Sequence, residues 1–238
     1  MNAFLYGVVL HWKLDIRNKG VLLTYYVVPL VFFAFMGGIF TSINPIAKDT
    51  LIQSMTIFGV TMGAILGAPT PLVELYGSEI KKAYKVGGIP LWVAGVNNFI
   101  SAFVHLFIMS LVIFFIAPLA FNTKIPENLI LYFLYLGIFI IACVAVGTVL
   151  GVLIKSTSKL TMTSQFIFLP SIMLAGIMFP VNMLPKALES LGEIFPATWG
   201  FKLMTSETFD VKIIIPLVII MFVSICISVY ELSRINLE

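Results

Sequence analysis

The sequence predicts an all-α integral membrane protein with six transmembrane helices. Of its 238 residues, 60% are hydrophobic and 11% are charged, and the mean hydropathy is +1.09, whereas a soluble domain carries about 25% charged residues. Six runs of the chain contain no Asp, Glu, Lys or Arg, and a helix needs about 20 mostly apolar residues to cross the hydrocarbon core. Because the runs are continuous rather than alternating, helices are favoured over a β-barrel. The charge-free runs are 20–47, 50–73, 86–123, 128–154, 160–185 and 213–230.

The third run is the longest, and it predicts one long helix rather than two spans. Its middle has neither Gly nor Pro at which the chain could turn, and Pro90 and Pro118 frame a helix from Leu91 to Ala117. All six spans belong to a single transmembrane domain that covers residues 1–238. Their predicted positions are approximately 22–42, 51–72, 91–117, 129–154, 160–179 and 213–231.

Residues 1–19 are too charged to cross a membrane and too apolar to form a free tail. Phe4, Val8, Trp12 and Ile16 recur every four residues, which is typical of a helix that lies in the membrane interface. Trp12 also suits the level of the lipid headgroups. We therefore expect an N-terminal interfacial helix ahead of the first span.

The second span contains Gly59, Gly63 and Gly67, which recur every four residues and share one helix face. Small residues at this spacing let two helix backbones approach closely in lipid. The stripe can pack within the bundle or across a subunit boundary. Packing within the bundle is favoured, because each helix has more neighbours inside its own chain than outside it.

The segment ELYGSEIKKAYKVGGIP, residues 74–90, carries five charges between two apolar runs. Ser78 is a candidate N-cap, Glu79 suits the positive end of a helix dipole, and the lysines that follow suit the negative end. The GGIP ending is typical of a helix stop. The segment therefore predicts a short polar helix over 79–86 between the second and third spans, with a solvated loop as the alternative.

The segment between the fifth and sixth spans, residues 176–204, is interrupted by three prolines. From Pro185 onward, Leu188, Leu191 and Phe195 recur at helical spacing, and acidic residues face away from them. This pattern predicts a short outer helical hairpin that is too short to span the membrane. We expect its apolar residues to cover the outer end of the bundle as a gate.

Few polar side chains lie within the predicted spans. His105 lies near the middle of the third span and Gln165 lies early in the fifth. Each can form an interhelical hydrogen bond worth about 1 kcal/mol or line a substrate path, and His105 is the stronger path candidate because it can titrate. Phe58 and Met62 of the second span are further path candidates, with core packing as the alternative.

Basic residues are concentrated on one side of the predicted bundle. The segments 1–19, 74–85, 155–159 and 231–238 hold nine Lys or Arg, against five in the opposite segments. Because basic residues concentrate on the cytoplasmic side of membrane proteins, both termini and the charged segment are expected in the cytoplasm. The net charge of +3 therefore reflects topology and does not indicate nucleic-acid binding.

Sequence motifs for several enzyme classes are absent from the chain. It contains no GxxxxGK[ST] phosphate loop, no HExxH, no GxSxG and no Cys/His cluster. No predicted span carries an acidic residue, which argues against an ion-coupled carrier. We therefore expect a transport protein that is not an enzyme and holds no metal or cofactor directly.

Two segments carry a resemblance to a known family. GIMFPVNMLPKALESLGEIFPATWGFKLM, residues 176–204, combines a Phe-Pro turn, an apolar and acidic helix, and a Pro-aromatic exit. The second segment is GSEIKKAYKVGGIP, residues 77–90. It matches the family's pattern of a Glu followed by a basic helix that ends in Pro at Glu79, Lys81, Lys82 and Pro90, but it lacks the Gly-Thr pair that usually follows the Glu. Together with the six spans and the interfacial helix, these segments make the chain resemble the ABC-2 type permeases, which are the membrane subunits of ATP-driven exporters.

This resemblance implies that the helix over 79–86 is a coupling helix that rests on a cytosolic P-loop ATPase. ATP would be hydrolysed by a pair of these partner subunits and not by this chain. A second permease chain, identical or related, would complete twelve spans in the lipid bilayer, with the path at their interface. The implied contact residues for the ATPase are Glu79, Lys81, Lys82, Tyr84 and Lys85.

The sequence therefore predicts a permease subunit in the cell membrane of a bacterium. The cargo is expected to be apolar or amphipathic, such as a drug, a peptide antibiotic or a lipid-like molecule, because the second and fifth spans are rich in Met and Phe. The alternative is an ATP-independent channel or secondary carrier, which predicts intramembrane charges or repeat symmetry. A scaffold protein or membrane enzyme would need an interaction domain or a catalytic constellation, and the sequence shows neither.

Overall fold

The computed structural model describes residues 3–43, 48–178, 181–206 and 208–237, and all regular secondary structure in these ranges is helical. We name the helices α1 to α10 in chain order, and α2 and α3 each contain a π-helical turn. A 3₁₀ turn, Val181–Met183, precedes α8. The bounds are α1 Ala3–Arg17; α2 Lys19–Leu22, Leu23–Val27 (π) and Val28–Ile43; α3 Leu51–Met62, Gly63–Gly67 (π) and Pro69–Tyr76; α4 Ile80–Val86; α5 Leu91–Phe121; α6 Leu129–Leu153; α7 Thr157–Leu174; α8 Lys186–Gly192; α9 Pro196–Met204; and α10 Val211–Leu237.

Five of these helices are long and apolar enough to cross a membrane, namely α2, α3, α5, α6 and α10. This supports an integral membrane fold. α7 occupies the position of the predicted fifth span but is not among the five. Its 18 residues are enough to cross a membrane, but residues 157–165 are mostly polar, so the helix is less apolar than the other five. The sixth crossing therefore stays a prediction.

Three helices extend further than the sequence predicted. α3 continues through Pro69 and ends at Tyr76. Its π-helical turn, Gly63–Gly67, ends just ahead of this proline, so Pro69 occupies the first turn of the next segment, where a missing N–H is tolerated. α5 and α10 likewise pass their predicted ends and reach Phe121 and Leu237.

α3 lies at the centre of the bundle, and nearly all of its side chains are buried. Its glycine stripe faces neighbouring helices of the same chain. Gly59 approaches Met109 of α5, while Gly63 and Gly67 both approach Tyr25 of α2. Because glycine has no Cβ, these large side chains pack directly on the α3 backbone.

α6 packs closely against another part of α3. A Cβ on Gly147 would collide with the Ala64 carbonyl oxygen, and a Cβ on Gly151 would lie 2.8 Å from the Leu72 Cβ. Both glycines are therefore needed for the close approach of the two backbones. α10 in turn packs along α6, and most of its surface is exposed.

A second, smaller apolar cluster lies at the end of the bundle that carries α4. It joins the adjoining ends of α3, α5, α6 and α10, and Tyr84 of α4 packs against it. We call it the basal cluster. Its buried members are Leu72, Leu75, Tyr76, Leu91, Ala94, Val152, Leu232 and Ile235.

Candidate functional site

α4, Ile80–Val86, corresponds to the predicted coupling helix and begins one residue later than predicted. The Ile80 N–H donates a hydrogen bond of 3.3 Å to Ser78 Oγ, so the serine satisfies a backbone donor at the helix start. The helix ends at Gly87, and Gly88 follows with a φ of 66°. This left-handed conformation is one that glycine adopts without strain.

α4 is attached to the bundle on both sides. The Tyr76 hydroxyl at the end of α3 donates a hydrogen bond of 2.9 Å to the Leu91 carbonyl oxygen at the start of α5. Gly77 lies against the turn between α6 and α7, because a Cβ there would be 2.9 Å from the Lys155 carbonyl oxygen. Tyr84 packs against the basal cluster. α4 is therefore linked to the adjoining ends of α3, α5 and α6.

The surface of α4 presents basic and apolar side chains side by side, and none of its residues is buried. Glu79, just before the helix, forms an ion pair with Lys82. Val86 is 90% exposed, and Ile80 and Ile89 are also exposed. Apolar side chains exposed together are typical of a contact surface for another protein. The basic residues of α4 are Lys81, Lys82 and Lys85.

The four predicted path residues do not line one cavity. Phe58 is buried, stacks on Phe32 of α2 with 3.8 Å between ring centroids, and meets Phe168 of α7 edge-on at 5.6 Å. Met62, one turn further along α3, is partly buried against the same core. Gln165 is exposed on α7. Phe58 therefore joins three helices as a packing residue, whereas Gln165 is accessible from outside the bundle.

One face of α7 is apolar and points away from the rest of the described chain. Met162, Phe166, Leu169 and Met173 recur at spacings of four and three residues and are all exposed, and Phe166 is 76% exposed. Gln165 lies beside this row. In a membrane, such a face is available to lipid or to another helix.

A buried polar cluster holds α1 against the bundle. It includes His105, for which an interhelical hydrogen bond was one of the two expectations, whereas no sequence pattern pointed to Asp15 and Ser101. Asp15 of α1 is only 3% exposed, and Ser101 of α5 donates a hydrogen bond of 2.6 Å to its Oδ2. The Nε2 atoms of His11 and His105 each lie 4.0 Å from a carboxylate oxygen of Asp15. Because a buried carboxylate is costly unless it is hydrogen-bonded or paired, these partners hold α1 in one position.

His105, the fourth predicted path residue, lies inside this cluster rather than in an open path. Trp12 of α1 and Tyr25 of α2 both stack on its imidazole ring, with centroid distances of 5.9 and 5.3 Å. The Tyr26 hydroxyl lies 2.7 Å from its Nδ1 atom. His105 thus joins α1, α2 and α5.

Asn98 extends the polar cluster to α3. Its side-chain oxygen lies 3.1 Å from His11 Nε2, and its side-chain amide donates a hydrogen bond of 3.0 Å to the Ala68 carbonyl oxygen after the π-helical turn. The cluster therefore connects the N-terminal helix with α2, α3 and α5. Within the described ranges, no group of three or more His, Cys, Asp or Glu side chains is arranged to hold a metal ion.

Replacing Ser101 by alanine is expected to loosen the docking of α1. The buried Asp15 carboxylate then loses a hydrogen bond, which costs about 1–3 kcal/mol. The measurement is thermal unfolding in detergent together with the rate of proteolysis near the end of α1. Ser110→Ala is the matched control, because Ser110 is also buried on α5 but donates to Leu106 of its own helix. An equal loss of stability in both variants would contradict the role assigned to Ser101.

The outer hairpin consists of α8 and α9, and both helices pack on the bundle. α9 contacts α3, α6, α7 and α10, whereas α8 contacts α7, where a Cβ on Gly192 would lie 3.0 Å from the Leu174 carbonyl oxygen. Leu188 and Leu191 of α8 are exposed and Phe195 is half-buried, so the role of these three residues as an outer gate stays a prediction. α9 lies closer because it begins with small residues, and a Cβ on Gly200 would collide with Phe139 of α6.

Hydrogen bonds lock the two outer helices together. The Thr198 hydroxyl donates to the Gly192 carbonyl oxygen at 2.6 Å, and Trp199 Nε1 donates to the Glu193 carbonyl oxygen at 2.7 Å. The Lys202 ammonium also donates to the Glu193 carboxylate at 3.0 Å. The two helices of the hairpin are therefore held together, and the hairpin packs on the bundle mainly through α9.

Comparison with known families adds an independent finding. A family model described as "ABC-2 type transporter" matches residues 3–209. This range contains α1 to α9, and thus both α4 and the outer hairpin. A search of curated proteins found no match.

Proposed function

Since the chain belongs to the ABC-2 type transporter family and is thus the permease component of an ABC transporter, we propose that it exports an apolar or amphipathic cargo. A separate pair of P-loop ATPase subunits would supply the energy by hydrolysing ATP. Drugs, peptide antibiotics and lipid-like molecules are the cargo classes that fit best. Both termini and α4 lie in the cytoplasm in this proposal, because the basic residues concentrate at that end.

The observation that carries this proposal is the arrangement of α4. Its exposed basic and apolar side chains suit a groove on a soluble partner. Its ends are held by the Tyr76–Leu91 hydrogen bond and by the packing of Gly77 on the α6–α7 turn. When two ATPase subunits close, α4 would move as a rigid body and shift α3 and α5 with it.

A second permease chain, identical or related, completes the transport path in this proposal. The open apolar face of α7 supports it, because large side chains such as Phe166 face away from the described chain. The cargo would pass along this face, where Gln165 offers a polar contact. Phe58 and Met62 would border the path only if α7 moves away from α3, and His105 is assigned to the docking of α1.

ATP-driven transport in inverted membrane vesicles tests this proposal. Vesicles that contain the chain and its ATPase partner are expected to accumulate an amphipathic fluorescent dye when ATP is added, because export is directed inward in an inverted vesicle. A non-hydrolysable ATP analogue, and vesicles without the chain, serve as controls. Dye movement that depends on the chain but not on ATP would contradict the proposal and support the channel or carrier alternative.

A further inference from the structure

A groove of about 530 Å³ lies between α5, α6 and α10, near the end of the bundle that carries α4. Ligand sites typically have volumes of about 300–1,000 Å³, so the groove is large enough for a specific occupant. It lies apart from the α7 face and from the polar cluster around Asp15. Its lining includes Trp92, Gly95, Val96, Ala145, Ser228 and Val229.

Small residues open this groove. Gly95 of α5, Ala145 of α6 and Ser228 of α10 contribute little side-chain volume to its lining. α10 packs along α6 over much of its length but only lightly against α5, so a gap remains between α5 and α10. Helix bundles are otherwise close-packed, and the lining of a void loses its dispersion contacts.

The chemistry of the groove suits a hydrocarbon chain. Its surface is almost wholly apolar, and the hydroxyls of Thr148 and Ser233 are already bonded to the backbone of their own helices. The Ser228 hydroxyl is buried and has no hydrogen-bond partner among the described residues. A polar ligand would therefore find few partners here.

We propose that this groove binds one acyl chain of an anionic membrane phospholipid. The groove opens beside α10, most of whose surface is exposed. Because α10 is long and apolar enough to span the membrane, this exposed surface would face hydrocarbon rather than water. An apolar gap in contact with lipid is therefore filled by the surrounding acyl chains, which restore the dispersion contacts of its lining.

The charges and aromatic residues near the groove match a phospholipid headgroup. Trp92 is half-exposed at the start of α5, where aromatic side chains lie at the level of the headgroups. Arg234, which follows the lining residue Ser233 and pairs with Glu231 at 3.4 Å, lies at the same end of the bundle as the three lysines of α4. The four basic residues outnumber the acidic residues Glu79 and Glu231, which pair with two of them. Basic residues near a membrane surface attract anionic lipids, so an anionic phospholipid is preferred.

A chain bound in this groove would also contact the support of α4. Leu232 lines the groove and belongs to the basal cluster together with Tyr76 and Leu91. A Cβ on Gly95 would lie 3.3 Å from the Tyr76 hydroxyl, which shows how closely the groove approaches the hydrogen bond between α3 and α5. The bound lipid thus stiffens the attachment of α4 to the bundle.

Native mass spectrometry of the full chain, reconstituted with dioleoyl phosphatidylglycerol and released in mild detergent, tests the proposal. Val96→Phe and Val229→Phe fill the groove from its two sides and are expected to remove one retained phospholipid per chain. Their matched controls are Val104→Phe and Val223→Phe, which place the same side chain on α5 and α10 outside the lining. Val96 and Val104 are both 37% exposed, so the first pair differs only in location.

Tryptophan fluorescence gives a second measurement, which uses the lining residue Trp92 as the probe. A phosphatidylglycerol with brominated acyl chains is expected to quench the emission of Trp92, and the quenched component should disappear in Trp92→Phe. Equal lipid retention in all four phenylalanine variants would overturn the proposal. So would a Val229→Phe variant that separates paired chains without losing lipid, because the groove would then be a subunit contact.

Discussion

Replacing Lys81 and Lys82 together by glutamate is expected to reduce ATP-dependent transport about tenfold or more, without reducing the amount of chain in the membrane. Both lysines lie on α4, which has no buried residue, so the change does not disturb the core. Two reversed charges against a complementary partner surface cost several kcal/mol, and about 1.4 kcal/mol already corresponds to a tenfold loss of affinity. The measurement is the initial rate of dye uptake by inverted vesicles.

Two further double variants separate a loss of contact from a change of net charge. Lys81→Arg with Lys82→Arg keeps both charges and should retain most transport. Lys186→Glu with Lys212→Glu changes the net charge by the same amount on exposed residues elsewhere in the chain, and it should leave the ATPase contact intact. Normal transport in the Lys81→Glu, Lys82→Glu variant would contradict the coupling role of α4.

Replacing Gly147 by alanine is expected to destabilise the whole bundle. The new Cβ would collide with the Ala64 carbonyl oxygen in the π-helical turn of α3. This contact atom belongs to the backbone of a central helix and cannot rotate away, so the two helices must separate. Overpacking of this kind costs about 1–3 kcal/mol, and it should lower the midpoint of thermal unfolding measured in detergent.

Gly137→Ala provides the matched control on the same helix, because no atom lies within 4 Å of a Cβ at that position. Alanine is better than glycine in a helix interior by about 0.5–1 kcal/mol, so this variant should be as stable as the original chain or more stable. Similar unfolding midpoints for the two variants would show that α3 and α6 are not packed as closely as the structure has them.

The membrane-spanning helices and α4 could be predicted because each leaves a local signal in the sequence. Long charge-free runs require burial in lipid, and they locate the five helices that satisfy the length and composition criterion. Ser78, predicted as the N-cap, lies one residue before the observed N-cap Glu79, and together with the glycines after Val86 it bounds α4 to within one residue. These features depend on neighbouring residues only, so composition and spacing are sufficient to find them.

The polar cluster around Asp15 could not be predicted in the same way, because its partners come from distant parts of the chain. The sequence predicts an interfacial helix over residues 1–19 but gives no partner for Asp15 or His11. The sequence does contain one indication that these two residues are buried, because both fall on the helix face that includes the apolar residues Val8 and Trp12. Only the structure shows that Ser101 of α5 supplies the hydrogen bond that makes burial of this carboxylate acceptable.

The continuation of α3 past Pro69 and the packing of the outer hairpin also could not be predicted, because both depend on tertiary structure. Pro69 predicts a helix end when it is considered alone, but the preceding π-helical turn places it in the first turn of a new segment. The apolar spacing of α8 predicted a covering helix. α9 makes the more extensive contacts with the bundle because Gly200 lets it approach Phe139, a contact that the periodicity of α8 does not reveal.

The most direct test of the central claim is co-purification of the tagged chain from its native membranes in mild detergent. The eluate is assayed for ATP hydrolysis, and the masses of its subunits are determined. A soluble P-loop ATPase that elutes with the original chain and is lost from the Lys81→Glu, Lys82→Glu variant is the result we predict. A chain that elutes without any ATPase, under conditions that preserve other membrane complexes, would contradict the account of α4 as a coupling helix.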